Sequence, residues 1–476
     1  MFALQPQSST PLVQQIFTNF TELIAEGKLR PGSKLPSIRQ FAKTHVVSVF
    51  TVADAYDRLV AHGYVASRAN TGFFVRRSVA AATPETNISA RSWGRFDSMW
   101  CLREVFENRG LALKPGCGWL PESWLFKDGL QRGFRALAAE SVDVSGYGDP
   151  MGYLPLRHSI CDLMAEQEIA VRPSQVLLTH GSSQALDLVA RSLVKPGDKV
   201  LIDDPGYSNL LFSLRFLGAE LVGVPRTPDG YDLGALEGLI AEHRPRLFFT
   251  QPRLHSPTGS VATLAQLHRV LGMIEKNDML IIENDIYADL DVETRQSFAS
   301  LDQVSRVVHV RSFSKTMSPN LRVGYLIANP DLVEDFAQLK MMSGLTSSEI
   351  SERLTHHVLT DGRWRKHLKG LQGRLAQAHE KTATRLVELG FELFSEPKGG
   401  LFLWARNPEL SDADEISTEA AEYDIMMGPG HLYSTTLETS RWLRFNPSFC
   451  DDERIFTFLA GLTRRARLAS SAVVRR

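Results

Sequence analysis

From residue 174 onward, six short apolar runs recur between stretches of helical spacing, at 176–179, 199–202, 219–224, 247–250, 279–282 and 307–310. Runs such as Val176-Leu177-Leu178-Thr179 and Met279-Leu280-Ile281-Ile282 have no polar face, so as strands they must be buried on both sides. The pattern predicts an α/β domain, a sheet with helices packed on both faces. It also says where chemistry belongs, because ligands of such sheets bind off the carboxyl ends of the strands. Of the 476 residues 43% are hydrophobic and 22% charged, ordinary globular material with length for about three domains.

Four of those strand ends carry polar groups that suit one another. After the first, Gly181-Ser182-Ser183-Gln184 precedes a helical run over 185–193, so the amides at the helix start, with Ser182 and Ser183, suit a phosphate. After the second, Asp203-Asp204-Pro205-Gly206-Tyr207 delivers Tyr207, which can stack on an aromatic ring. After the fifth comes Glu283-Asn284-Asp285-Ile286-Tyr287. Asp285 can keep a ring nitrogen protonated, and Tyr287 can bond a phenolate oxygen. After the sixth, Ser312, Ser314, Lys315 and Arg322 set two hydroxyls, an amine and a guanidinium in one short segment. An amine that condenses with an aldehyde, beside groups that hold a phosphate dianion, is the set pyridoxal 5'-phosphate requires. Taken singly, a Gly or Asp in a tight turn and a tyrosine beside a strand are commoner as structure; their joint occurrence in strand order carries the argument.

The first eighty residues are different material. They hold nine Lys/Arg against four Asp/Glu, a net of +5, which leaves −6 for the rest. Val13, Ile16, Phe17, Phe20, Leu23 and Ile24 predict an amphipathic helix over 11–26, stopped by Gly27. Ser37 stands three residues before Gln40, a capping pattern for a short helix to about Lys43 whose amino end can face a phosphate. Ser48 can cap a third helix carrying Val52, Ala55, Tyr56, Leu59 and Val60. Residues 64–67 and 72–75 read as two strands about a polar turn. Three helices and a hairpin make a winged helix-turn-helix, an α+β unit whose third helix enters the major groove of double-stranded DNA. Lys34, Arg39, Lys43 and Arg68 are expected at phosphates, although any one of them can be a solvated charge, and Phe50 and Thr51 at base edges. The expected domains are 10–76 for DNA, a linker over 77–110 and a cofactor-binding domain over 111–476.

Two resemblances add to this reading. The run Gly27-Lys28-Leu29-Arg30-Pro31-Gly32-Ser33-Lys34-Leu35-Pro36-Ser37-Ile38-Arg39, followed by Ser48-Val49-Phe50-Thr51, resembles the GntR-family DNA-binding domain over 10–76. That family often places arginine just after the serine that opens the recognition helix. Val49 and Phe50 stand there in this chain, which implies more apolar base contacts, for instance with thymine methyls. Residues 146–446 resemble a fold-type I, class I aminotransferase domain. Tyr147-Gly148-Asp149-Pro150-Met151-Gly152-Tyr153 is similar to that family's opening motif, whose tyrosine reaches the partner subunit's phosphate, and His255-Ser256-Pro257-Thr258-Gly259 to its Asn-Pro-Thr-Gly turn.

The aminotransferase resemblance implies Ser312, Ser314 and Arg322 as phosphate ligands and Lys315 as the Schiff-base lysine. It implies Arg444 as the grip on a ligand carboxylate, with Arg441 in its place if the register slips, and a small α+β C-terminal domain from about residue 362. Ser256 stands where the aminotransferases have an asparagine that bonds the ring oxygen. The shorter side chain implies a raised Schiff-base pKa and blunted transamination, with cofactor binding kept.

A GntR-type domain ahead of an aminotransferase-like domain is similar to the layout of the MocR subfamily of bacterial regulators. The resemblance implies a homodimeric DNA-binding transcriptional regulator whose large domain senses pyridoxal phosphate or an amino compound. An active aminotransferase carrying a DNA-binding domain is the chief rival. A cofactor-free dimerisation scaffold is the third reading, against which Asp285, Lys315 and Arg322 weigh. Cys101, Cys117, Cys161 and Cys450 are scattered without metal-ligand spacing, so neither a disulfide framework nor a metal site is expected. No apolar run approaches the roughly 18 residues of a membrane span, and the amino terminus lacks a signal-peptide pattern. A cytoplasmic location is expected.

Overall fold

The computed structural model describes residues 4, 5, 8, 10–68, 71–76, 111–142, 145–396, 399–410 and 412–474, with the side chains of 469–474 excepted. The expected linker over 77–110 lies outside the described residues. The chain divides into two compact units, Met1–Phe96 and Asp97–Arg476.

The first unit has α1 (Leu12–Ala25), α2 (Ile38–His45), α3 (Val49–Ala61), β1 (Val65–Arg68) and β2 (Gly72–Val75). Local signals start two of the helices: Ser37 Oγ accepts from Gln40 N and Ser48 Oγ from Thr51 N, each at 3.2 Å. β1 and β2 pair antiparallel from Val65 opposite Val75, and a bridge of Lys34 to Phe74 adds a third short edge to this wing. Ile16, Phe20, Phe41, Val52, Tyr56 and Leu59 form the core, and the Tyr56 hydroxyl donates to Pro36 O at 3.0 Å.

The second unit is built on an eight-stranded sheet: β3 (Val176–Thr179), β4 (Lys199–Asp204), β5 (Glu220–Thr227), β6 (Gly230–Tyr231), β7 (Leu247–Thr250), β8 (Leu280–Asn284), β9 (Val307–Ser312) and β10 (Gly324–Ile327). Their order is β3-β10-β9-β8-β7-β4-β5-β6. β5, β4, β7, β8 and β9 run parallel, so their carboxyl ends lie on one edge; β10 is antiparallel to both its neighbours. All six expected strands are present. The two missed ones are short: β6 has two residues, and β10 follows directly on the Arg322 segment, which hid its four apolar residues.

Alternation along the strands divides the core into two layers. Leu201, Phe248 and Ile281 pack on one face with Leu236, Ile274 and Phe298. Ile202, Phe249, Ile282, Val308 and Val310 pack on the other with Ala185, Leu186 and Val189 of the helix Gly181–Leu193. Toward the carboxyl end, the helix Trp364–Glu388 leads to a four-stranded antiparallel sheet of β11 (Glu392–Leu393), β12 (Leu403–Arg406), β13 (Gly428–Pro429) and β14 (Trp442–Phe445). Leu113 pairs with Ile425 beside this sheet, so the start of the unit and its small C-terminal layer share one core. Among the described residues, no helix is long and apolar enough to cross a membrane.

Candidate cofactor site and nucleic-acid interface

Lys315 follows β9 at the carboxyl edge of the sheet. Its Nζ donates to Gly118 O at 2.6 Å and lies 6.0 Å from the centre of the Tyr287 ring. Burial, then the Arg444 guanidinium, push the amine down to about 8. An amine so placed is partly neutral near neutral pH, which is the nucleophilic form. Ser312 Oγ donates to Ser314 Oγ at 3.0 Å just before it.

Arg322 reaches from the far end of that segment and donates to His180 O at 2.9 Å. Gly181 opens the helix Gly181–Leu193 with φ +73, a conformation that favours glycine, and a Cβ there would stand 2.9 Å from the Arg322 guanidinium and push it aside. No side chain caps this helix, and its first turn holds Ser182 and Ser183. Its leading amides are therefore available to an anion beside Arg322. Tyr207 joins the group through Ser183 and through Asn209, whose Nδ2 donates to the Tyr207 hydroxyl at 3.1 Å; burial pushes the Tyr207 phenol up.

Arg444, on β14, donates to Gly116 O at 2.7 Å, and its guanidinium lies 4.4 Å from the Phe402 ring and 4.8 Å from the Tyr433 ring. Arg441 is exposed and bonded to Pro408 O, so the register favours Arg444. Burial pushes the Tyr287 phenol up, with Arg444, Tyr207 and Ser256 close by. Four atoms in this part of the unit are buried without a hydrogen-bond partner: Ser256 Oγ, Gln251 Nε2, Asn284 Oδ1 and Arg444 Nε.

Asp285 is not brought to this group. Its carboxylate accepts from Arg253 Nε at 2.7 Å and from Arg253 Nη2 at 2.5 Å, and His309 Nε2 stands 3.6 Å away. Arg253 and Asp285 are 4% and 1% exposed. Burial pushes the Asp285 carboxyl up, but Arg253 outweighs it and holds the group below the usual range. The reason is strand parity. Glu283 and Asp285 share the face of Ile281, whereas Asn284 shares the face of Ile282, toward the helix Gly181–Leu193. Tyr147 is also outside the group and is 82% exposed.

Sequence reasoning passed over Gly118, Asn209, Gln251, Arg253 and Tyr433. Gln251 and Arg253 fall in the loop after β7, a strand end of the same kind as the others; Gly118 is 197 positions from Lys315 and carries no sequence signal. Among the described residues, no cluster of His, Cys, Asp and Glu could hold a metal ion. Cys117 is buried and pushed up to about 11, so it stays a thiol.

In the first unit, Lys34, Ser37, Arg39, Lys43, Ser48 and Arg68 are exposed, and Thr51 is half-buried. Lys34 and Arg68 flank the Phe74 ring on the wing, at 5.8 and 4.8 Å from its centre. Phe50 is 87% exposed at the start of α3, and Val46, in the turn before it, is 91% exposed. Large apolar side chains in such positions cost a free domain solubility and suit apolar contacts in a groove.

Residues 123–462 match the family model "Aminotransferase class I and II", and residues 12–75 match "Bacterial regulatory proteins, gntR family". The chain is similar to the uncharacterized HTH-type transcriptional regulator YisV of Bacillus subtilis, 27% identical over 90% of each chain. It is also 27% identical to the probable rhizopine catabolism regulatory protein MocR of Rhizobium meliloti, over 89% of this chain and 87% of that one. Among solved structures, the α-aminoadipate aminotransferase LysN of Thermus thermophilus, complexed with N-(5'-phosphopyridoxyl)-L-leucine, superposes with a TM-score of 0.69 at 26% identity, over 79% of this chain and 95% of that one. With both parts matched in this order, the chain belongs to the aminotransferase class I and II family, in the form fused to a GntR-type DNA-binding domain that marks the MocR regulators.

Proposed function

We propose that the chain is a DNA-binding transcriptional regulator whose aminotransferase-like unit holds pyridoxal phosphate and uses it to sense an amino compound. The observation that carries the reading is Lys315: a lysine amine depressed to about 8, set between an anion-ready helix start with Arg322 and the Arg444 guanidinium. The side chains fit the cofactor. Ser182, Ser183, Ser312, Ser314 and Arg322 supply donors for its phosphate, Lys315 an amine for its aldehyde, Tyr207 a ring to stack, and Tyr287 a donor for its ring oxygen. Gln251 Nε2 is a buried polar atom still open to a partner, and Ser256 Oγ stands beside the Tyr287 hydroxyl. Bound there, pyridoxal phosphate supplies an electrophilic carbon for amines. Lys315 is the group an incoming amine displaces, and Arg444 orients a ligand carboxylate, close to the Lys315 amine whose charge it disfavours. Tyr147 acts from a second copy of the chain, consistent with its exposure.

In the first unit, Arg39, Lys43, Lys34 and Arg68, with the helix starts at Ser37 and Ser48, meet phosphates, while Phe50 and Thr51 meet bases. Binding then falls steeply with salt, by roughly one power of salt concentration per phosphate neutralised. Two measurements test the reading. Borohydride reduction of the cofactor-loaded protein, followed by peptide mapping, is expected to label Lys315 alone. Operator affinity is expected to change when an amine binds, and by linkage operator must change amine affinity by the same factor, on the order of 1–3 kcal/mol of coupling. Operator affinity identical in wild type and Lys315→Ala, with and without cofactor and amines, reduces the large unit to a scaffold. Retention of both Lys315 and Arg444 favours one alternative, an active aminotransferase, which steady turnover of an amino acid with a keto acid would establish.

A further inference from the structure

Asn284 ends β8, is 3% exposed, and its Oδ1 has no hydrogen-bond partner. It pairs across the sheet with Val310 and shares the face of Ile282, Val310 and Ser312, which is the face of Gly181–Leu193 and Tyr207. A buried carboxamide in that condition calls for a partner, and because its oxygen and nitrogen exchange places when the group is turned end for end, the open position can present Nδ2–H as well as Oδ1. The neighbouring carboxylate is committed elsewhere. Both oxygens of Asp285 are held by Arg253 on the opposite face, Arg253 also donates to Gln167 Oε1 and the Arg295 carbonyl, and turning Asp285 away would leave the guanidinium buried without its counterion.

Resting on the reading that this site holds pyridoxal phosphate, we propose that Asn284, and not Asp285, meets the cofactor's ring nitrogen and donates Nδ2–H to it in its unprotonated form. A carboxylate at that place favours the pyridinium through its opposite charge; a carboxamide has no charge to offer. The ring then draws electrons less strongly, because its sink character depends on a protonated nitrogen. Asn284 and Ser256 each remove an aid to transamination, one at the ring nitrogen and the other at the ring oxygen, while Lys315, Arg322 and Arg444, which hold cofactor and ligand, are kept. The site is suited to capturing an amine more than to converting it.

The test uses the full chain loaded with pyridoxal phosphate labelled with 15N in the ring. In wild type the ring nitrogen is expected to resonate in the neutral-pyridine range, and in Asn284→Asp to move to the pyridinium range. A pyridinium signal in the wild type overturns the proposal, whether or not the variant folds. So does an Asn284→Asp protein that binds the cofactor with its nitrogen signal unmoved. A chain that takes up no pyridoxal phosphate overturns the functional reading and this inference with it. Cofactor attached at Lys315 with a charged ring nitrogen removes this inference alone.

Discussion

The two faces of the eight-stranded sheet receive polar side chains from the same strands and treat them in opposite ways. On the face of Ile281, buried charges answer one another. Glu283 accepts from the amides of Phe298 and Ala299 and faces His309 Nδ1 at 2.9 Å, Asp285 is clamped by Arg253, and Asp203 takes Thr250 Oγ1 and the Gln251 amide with Arg226 nearby. On the face of Ile282, Asn284 and Gln251 are neutral, and each has a buried atom without a partner. Arg226, His309 and Arg311 also keep unpartnered nitrogens on the first face, so it is the held carboxylates that mark framework there, and the open carboxamides near Lys315 that mark where a ligand can bond. A carboxylate close in sequence to the site is for that reason weaker as a guide than the side of the sheet it points to.

The largest effect that can break this comparison is on stability. Arg253→Ala strands a buried carboxylate and is expected to lower the unfolding free energy by about 3–5 kcal/mol, whereas Asn284→Ala, which removes a group already lacking a partner, should change it by less than about 1 kcal/mol. Denaturant titration of the two variants decides, and equal losses would erase the distinction between the faces. Next comes pH. The Lys315 amine is depressed from 10.5 to about 8, so its neutral, reactive fraction shrinks below that value. The rate of cofactor attachment should fall roughly tenfold per pH unit below about 8 and level off above it. By linkage, the unfolded chain binds the extra proton between about 8 and 10.5, so cofactor-free protein gains stability as pH rises through that window. An attachment rate that climbs unchanged to pH 10 would mean an ordinary, unburied lysine.

Smaller effects contrast the first unit with both faces of the sheet. Ser37→Ala and Ser48→Ala each remove one helix cap, at about 1 kcal/mol, measurable by thermal unfolding of the full chain. Phe50→Ala should cost no more than about 0.5 kcal/mol, since the ring is 87% exposed, yet shift the preference among DNA sequences in a competition assay. If Phe50→Ala destabilised the fold as a core substitution does, the ring would belong to the framework and not to the groove.

The first unit was legible almost residue by residue because its signals are local. Ser37 and Ser48 cap the helices they precede, and the apolar spacing of Val52, Ala55, Tyr56 and Leu59 faces one core. In the second unit the strands were equally plain, and Lys315, Arg322 and Tyr207 follow strand ends as expected, whereas Arg444, expected only from the resemblance, lies within β14. What the sequence could not convey was parity. Asn284 and Asp285 are adjacent, and one step along a strand turns a side chain to the other face. Asp285 is a carboxylate at a strand end, and the contact that holds it on the other face comes from Arg253, 32 positions away. The strap over 115–119 was equally silent, since Gly118 and Gly116 meet Lys315 and Arg444 through backbone carbonyls, which any residue carries.

That strap has the character of a latch with two keys. Gly118 O holds the Lys315 amine, Gly116 O holds Arg444, and Asn446 ties the ends through Pro115 O at 2.5 Å and Trp119 O at 2.7 Å. An amine that condenses with an aldehyde has fewer protons to share, and a guanidinium that turns to a carboxylate has one fewer hand for a carbonyl. A cofactor at Lys315 and a carboxylate at Arg444, as proposed, would each draw a donor away from the same few residues. The strap lies a few residues after 77–110, near the first described residues of the large unit.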